Sequence, residues 1–126
     1  MAAILVERGP VTTVTLTPPD VRNASTEDMI GELTAFAASV PEDGSIRAVV
    51  LRGAGPVFSA GADVQWMARM LGFSREENLA DARQAAQMFL ALDPLPVPLI
   101  GGIHGAALGG GSGLAAICDV VVAAHR

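Results

Sequence analysis

Leu99-Ile100-Gly101-Gly102-Ile103-His104-Gly105-Ala106-Ala107-Leu108-Gly109-Gly110-Gly111-Ser112-Gly113 governs how the whole chain is read. Pro94, Pro96 and Pro98 form a stiff connector that stops any preceding helix and readmits extended chain, so Leu99 to Ile103 reads as a strand. Five glycines follow between His104 and Gly113; Leu114 to Ile117 then reads as a short helix and Val120 to Val122 as a strand. The same order occurs once before. Ile46 to Leu51 is apolar apart from Arg47, as expected of a buried parallel strand covered on both faces. It leads through Gly53-Ala54-Gly55-Pro56-Val57-Phe58-Ser59-Ala60-Gly61-Ala62-Asp63 into a short helix holding Trp66, Met67 and Met70. Strand, small-residue turn and helix, used twice, indicate an α/β fold with parallel pairing.

Working outward, residues 3–7 and 11–17 are β-rich runs on either side of Gly9-Pro10 and read as an opening hairpin. Pro18-Pro19 ends it. Ser25-Thr26-Glu27-Asp28 has the form of a helix start, with Asp28 three residues after Ser25. Met29/Ile30, Leu33, Phe36/Ala37 and Val40 then follow at helical spacing, ending before Pro41. A longer helix begins at Ser74, where Glu77 completes a capping box, and runs to about Leu92. Leu79, Ala82/Arg83, Ala86 and Phe89/Leu90 give it one apolar stripe.

The 126 residues allow one domain. With 51% hydrophobic and 17% charged residues, they are too apolar to be globally disordered. All eight basic residues are arginine, scattered through a chain of net charge -5, so a Walker-type phosphate loop, a Schiff-base site and a lysine-rich nucleic-acid patch each lack their residue. Cys118 is the only cysteine, and His104 and His125 are far apart, which argues against an internal disulfide, a thiolate zinc site and metal binding in general. Glu7 and Arg8 follow only six uncharged residues with no basic segment before them, unlike a secretory signal, and a cytoplasmic setting fits. Leu99 to Ile117 carries no charge and has glycines at 105, 109 and 113, the spacing of a membrane-helix contact. Its seven glycines and the proline at its entrance favour strand, turn and helix pieces instead.

Small residues at a strand-to-helix turn let a ligand approach the main chain, and a helix start offers N–H groups without partners. Two such turns facing one cleft could hold an anion; if the anion develops only during reaction, the site is an oxyanion hole. Other assignments fail on particular residues. Phe58 stands where a dinucleotide-binding turn needs glycine, and Val57 and Leu114 stand where Ser59 and Ser112 would need the glycines of a nucleophile elbow. A serine hydrolase pairing His104 with Ser112 is the weaker surviving option.

Phe58-Ser59-Ala60-Gly61-Ala62-Asp63 and His104-Gly105-Ala106-Ala107-Leu108-Gly109-Gly110-Gly111, followed by Cys118-Asp119, closely resemble the two signature segments of the enoyl-CoA hydratase/isomerase (crotonase) superfamily. The spacing between them fits, as do the opening hairpin and Arg22-Asn23-Ala24. The resemblance implies a crotonase-like spiral of repeated ββα units, incomplete at its C-terminal end, with residues 1–126 as the amino-terminal part of a single acyl-CoA-binding domain. It implies hydration of a 2-enoyl-CoA thioester in fatty acid metabolism, with the backbone N–H groups of Ala60 and Gly110 as the two oxyanion donors. Val21 and Arg22 would meet the nucleotide end of CoA, Ala60, Gly61, Ala62 and Asp63 would line the pantetheine path, and Trp66 and Met67 would shape the acyl pocket. For the last two, ordinary core packing is the equal alternative. Asp63 is expected to cap a helix, and Asp119 to end a helix or fix a turn. No metal or redox cofactor is implied, since CoA arrives with the substrate, and neither nucleic acid nor membrane is an expected partner.

The chain departs from this pattern at Gly113, where many hydratases of the family carry a glutamate; the family's second glutamate would fall beyond Arg126. Family subunits are about twice this length and form trimers or hexamers, and this chain would lack the trimerisation helices. The resemblance therefore leaves two alternatives to hydration open: double-bond isomerisation, and a truncated relative that binds acyl-CoA without turning it over.

Overall fold

The computed structural model describes residues 3–17, 23–61 and 63–124. Strand β1 (Ile4–Glu7) runs antiparallel to β2 (Val11–Leu16), with Ile4 opposite Leu16 and Glu7 opposite Thr13. Thr12 closes the turn by donating to the Gly9 carbonyl at 3.0 Å. Helix α1 (Glu27–Ser39) crosses to β3 (Ala48–Gly53), which pairs parallel with β2 from Val11 opposite Ala48. Helices α2 (Val64–Met70) and α3 (Arg75–Leu92) lead to β4 (Leu99–Ile103), parallel to β3; α4 (Gly110–Ala116) leads to β5 (Val120–Ala123), parallel to β4. Strand order in the sheet equals chain order.

The core is built on one face of this sheet. Val14, Leu16, Val49, Leu51 and Leu99 from the strands bury against Met29, Leu33 and Phe36 of α1, Leu92 of α3 and Leu114 of α4. Burial on this scale, about 1.5–3 kcal/mol for each large apolar side chain relative to exposure, is what offsets the entropy of ordering the chain. The strand at 46–51 is displaced: β3 spans Ala48–Gly53, pairing with β2 from Ala48 onward, and the Arg47 N–H just before it donates to the Pro10 carbonyl. It is also covered on one face only. Val49 and Leu51 are buried, whereas Val50 is half-buried and Arg52 exposed, and every residue of β5 is exposed.

Helix starts and faces depart from the sequence reading in three places. The cap of α1 is Thr26, whose hydroxyl accepts from the Met29 N–H, while the Ser25 main chain pairs instead with the segment around Gly61. Ser74 and Glu77 form the expected capping box on α3, but its inner face is Met88 and Leu92, flanked by half-buried Ala85, Phe89 and Ala91. Leu79 and Leu90 point outward, Leu90 being 72% exposed. In so alanine-rich a helix several stripes fit the 3.6-residue period, and packing against α1 selects among them. Helix α4 begins at Gly110, four residues before the apolar run that announced it, since glycine's poor helix propensity masks the first turn. Leu99 to Ile117 thus divides into β4, turn and α4, and no helix among the described residues is long and apolar enough to cross a membrane.

Asp119 fixes the entry to β5: its carboxylate accepts from the Leu99 N–H and its own N–H donates to the Leu99 carbonyl, both at 2.8 Å. Beside it, burial pushes the Cys118 thiol up to about 11, with the Asp119 charge adding to the shift, and the thiol donates to the Leu114 carbonyl.

Two outcomes follow for stability. Leu92→Ala should destabilise by about 2–5 kcal/mol in urea unfolding, whereas Leu90→Ala, one stripe away, should stay within about 0.5 kcal/mol. Because the folded state holds the Cys118 proton more tightly than the unfolded chain does, the Cys118 contribution to stability should be constant below the ordinary thiol value of 9.0 and fall as pH rises from there through about 11. Cys118→Ala should remove that alkaline slope, as measured by melting temperature against pH.

Candidate active site

Two loops leave the same end of the sheet, one after β3 and one after β4, and they are stitched together by their main chains. Phe58 N–H donates to the His104 carbonyl (2.8 Å), Ser59 N–H to Ala106 (3.1 Å) and Leu108 N–H to Ser59 (3.0 Å), forming a parallel bridge between Ser59 and Ala107. Such an approach is possible only where side chains are missing. A Cβ on Gly61 would stand 2.7 Å from the Leu108 carbonyl oxygen, and Gly61 also adopts φ +85, the left-handed region that glycine enters freely. A Cβ on Gly111 would meet the Ser59 Cβ at 2.7 Å.

A third segment, before α1, holds the first loop from the other side. Asn23 is fully buried at φ 53 and donates its side-chain amide to the carbonyls of Ala54 (2.7 Å), Val57 (3.0 Å) and Phe58 (3.1 Å). Ser59, also fully buried, donates its hydroxyl to the Asn23 carbonyl at 3.0 Å and accepts from the Gly61 N–H at 3.2 Å. Ser25 completes the clasp: its N–H donates to Gly61 (2.6 Å) and its carbonyl accepts from the Asp63 N–H (2.9 Å). Residue 60 is therefore gripped on both sides while its own amide is spared. Neither the Ala60 N–H nor the Gly110 N–H, the first of α4, donates to an acceptor among the described residues. Main-chain donors that the fold leaves unpaired are the kind that can serve a bound oxygen.

The other residues singled out from the sequence occupy distinct places. Asp63 caps α2, its carboxylate accepting from the Trp66 N–H at 2.9 Å. Trp66 is part of the core, whereas Met67, the next residue along the helix, is 46% exposed. Val21, Arg22 and Ala62 lie outside the described residues. The His104 ring bonds to the Gly55 carbonyl and belongs to the loop scaffold. Asn23 and Ser59 were not picked out as functional from the sequence. The available signal was Asn23 itself, because asparagine tolerates positive φ and carries the amide that can close a turn of free carbonyls.

The family model described as enoyl-CoA hydratase/isomerase matches residues 7–126. Among solved structures, AtuE of Pseudomonas aeruginosa superposes with a TM-score of 0.92 at 39% identity, covering 97% of this chain and 48% of that one. An enoyl-CoA hydratase from Shewanella pealeana gives 0.91 at 34% identity, over 96% and 46%. A curated relative from Thermus thermophilus is 36% identical over 119 residues, which is 94% of this chain and 47% of its own length. The chain thus spans about half the length of the curated relatives it matches. The fold is the α/β crotonase fold of these hydratases, and the chain belongs to the enoyl-CoA hydratase/isomerase family.

Proposed function

We propose that this protein acts on an acyl-CoA thioester, hydrating a 2-enoyl-CoA, with the N–H groups of Ala60 and Gly110 as paired donors to the thioester oxygen. The observation that carries this is the pair of unengaged amides on two loops clamped together by the Ser59–Ala107 bridge. When water adds to the double bond conjugated with a thioester, negative charge moves onto the carbonyl oxygen as the enolate forms. Two fixed main-chain dipoles stabilise that charge without titrating and without reorganising during the reaction. The grip of Asn23, Ser59 and Ser25 on either side of Ala60 supports such fixity. The CoA path along Ala60, Gly61, Ala62 and Asp63, with Val21 and Arg22 at the nucleotide end, belongs to the same proposal, as do the acyl-pocket roles of Trp66 and Met67. The substrate brings the CoA group, and the chemistry calls on no other cofactor.

Hydration also requires a proton to move, usually through a carboxylate within about 2.6–3.2 Å of water or substrate. Position 113, one helical turn beyond Gly110, is glycine and supplies none. That residue favours a second reading, an acyl-CoA binder that polarises its ligand without hydrating it.

Assay of the purified protein with crotonyl-CoA, following the loss of enoyl-thioester absorbance, separates these. Turnover is expected, and Ala60→Pro, which removes one donor, should lower kcat by about 10²–10³-fold with thioester affinity changed only a few-fold. Tight thioester binding without turnover would favour the binder. Failure to bind any acyl-CoA would remove both.

A further inference from the structure

We propose that Phe89 determines which acyl groups this site accepts, its ring forming an apolar wall against Gly113 that excludes branching close to the thioester. The inference rests on the thioester reading above and extends it to the choice of substrate.

Phe89 lies on α3, half-buried, and reaches across to α4. A Cβ built on Gly113 would stand 3.1 Å from the Phe89 Cζ and 3.2 Å from its Cε1, closer than ordinary van der Waals contact. The ring therefore fills the volume that any side chain at 113 would need. At about 100° per residue, Gly113 sits about 60° around α4 from Gly110 and about 160° from Gly111, which is buried against Ser59. Gly113 thus shares the flank of Gly110 and not the buried face. The two are one turn apart, about 5 Å along the axis, within reach of a short acyl chain whose carbonyl oxygen is held at the Gly110 N–H. A linear chain can lie along the ring; a branch at the carbon two bonds from the carbonyl must displace it. One misplaced methyl in such a pocket typically changes affinity by about 10–200-fold.

The test is calorimetric binding of butyryl-CoA and isovaleryl-CoA, which differ by one methyl at that carbon, with CoA alone as a control for the nucleotide end. The unaltered protein should prefer butyryl-CoA by about tenfold or more, and Phe89→Ala should bring the ratio close to one while leaving CoA affinity unchanged. Gly113→Ala, whose methyl pushes the ring outward, should shift the ratio further toward the linear ligand, and serves should Phe89→Ala fail to fold. A merely structural role for Phe89 would lower both affinities together. An unchanged ratio in folded variants that still bind butyryl-CoA overturns this inference alone. Failure of the unaltered protein to bind either thioester overturns the reading of the site and this inference with it.

Discussion

Everything in this molecule that could do chemistry depends on two main chains lying closer than side chains normally permit. Ser59 and Gly111 meet where a Cβ on the glycine would be 2.7 Å from the serine Cβ, and a Cβ on Gly61 would be equally close to the Leu108 carbonyl oxygen. Main-chain hydrogen bonds across that contact hold it in one register. Each such bond is worth only about 0.5–1.5 kcal/mol net, but together with the Asn23 and Ser59 side-chain bonds they define where residues 60 and 110 stand. The sheet acts as a jig: β3 and β4 are hydrogen-bonded neighbours, so the loops that follow them begin side by side.

How much of this can be read in advance differs between elements for physical reasons. Leu99 to Ile103 is a strand with the anticipated ends because proline fixes one side and glycine the other. The Ser74–Glu77 box identifies the start of α3 because both halves of the motif are local. Local information ends there. Which stripe of α3 turns inward is decided by α1, more than thirty residues earlier in the chain, and so Leu79 and Leu90 fall outside the core that their spacing suggested. The α1 cap moved from Ser25 to Thr26 because the Ser25 main chain is engaged with Gly61, a contact no local pattern reveals.

The site shows the same division. The glycine-rich loops stand out from composition alone, and the residues carried over onto Ala60 and Gly110 came from a likeness between motifs. What fixes those loops, the buried Asn23 amide spanning three carbonyls and the buried Ser59 hydroxyl between Asn23 and Gly61, became visible only when three distant segments were placed together. Trp66 packs in the core while its neighbour Met67 is exposed, a division that residue type alone does not reveal.

The order β1-β2-β3-β4-β5 means that each strand is laid down beside the one made before it. No strand has to wait for a later segment to be inserted next to it, so the sheet can assemble progressively while synthesis is still under way, extending at a single margin. At every stage the newest strand is that margin. Here it is β5, whose Val120, Val121 and Val122 are 54%, 45% and 65% exposed, so among the described residues the most recently made strand is also the least covered.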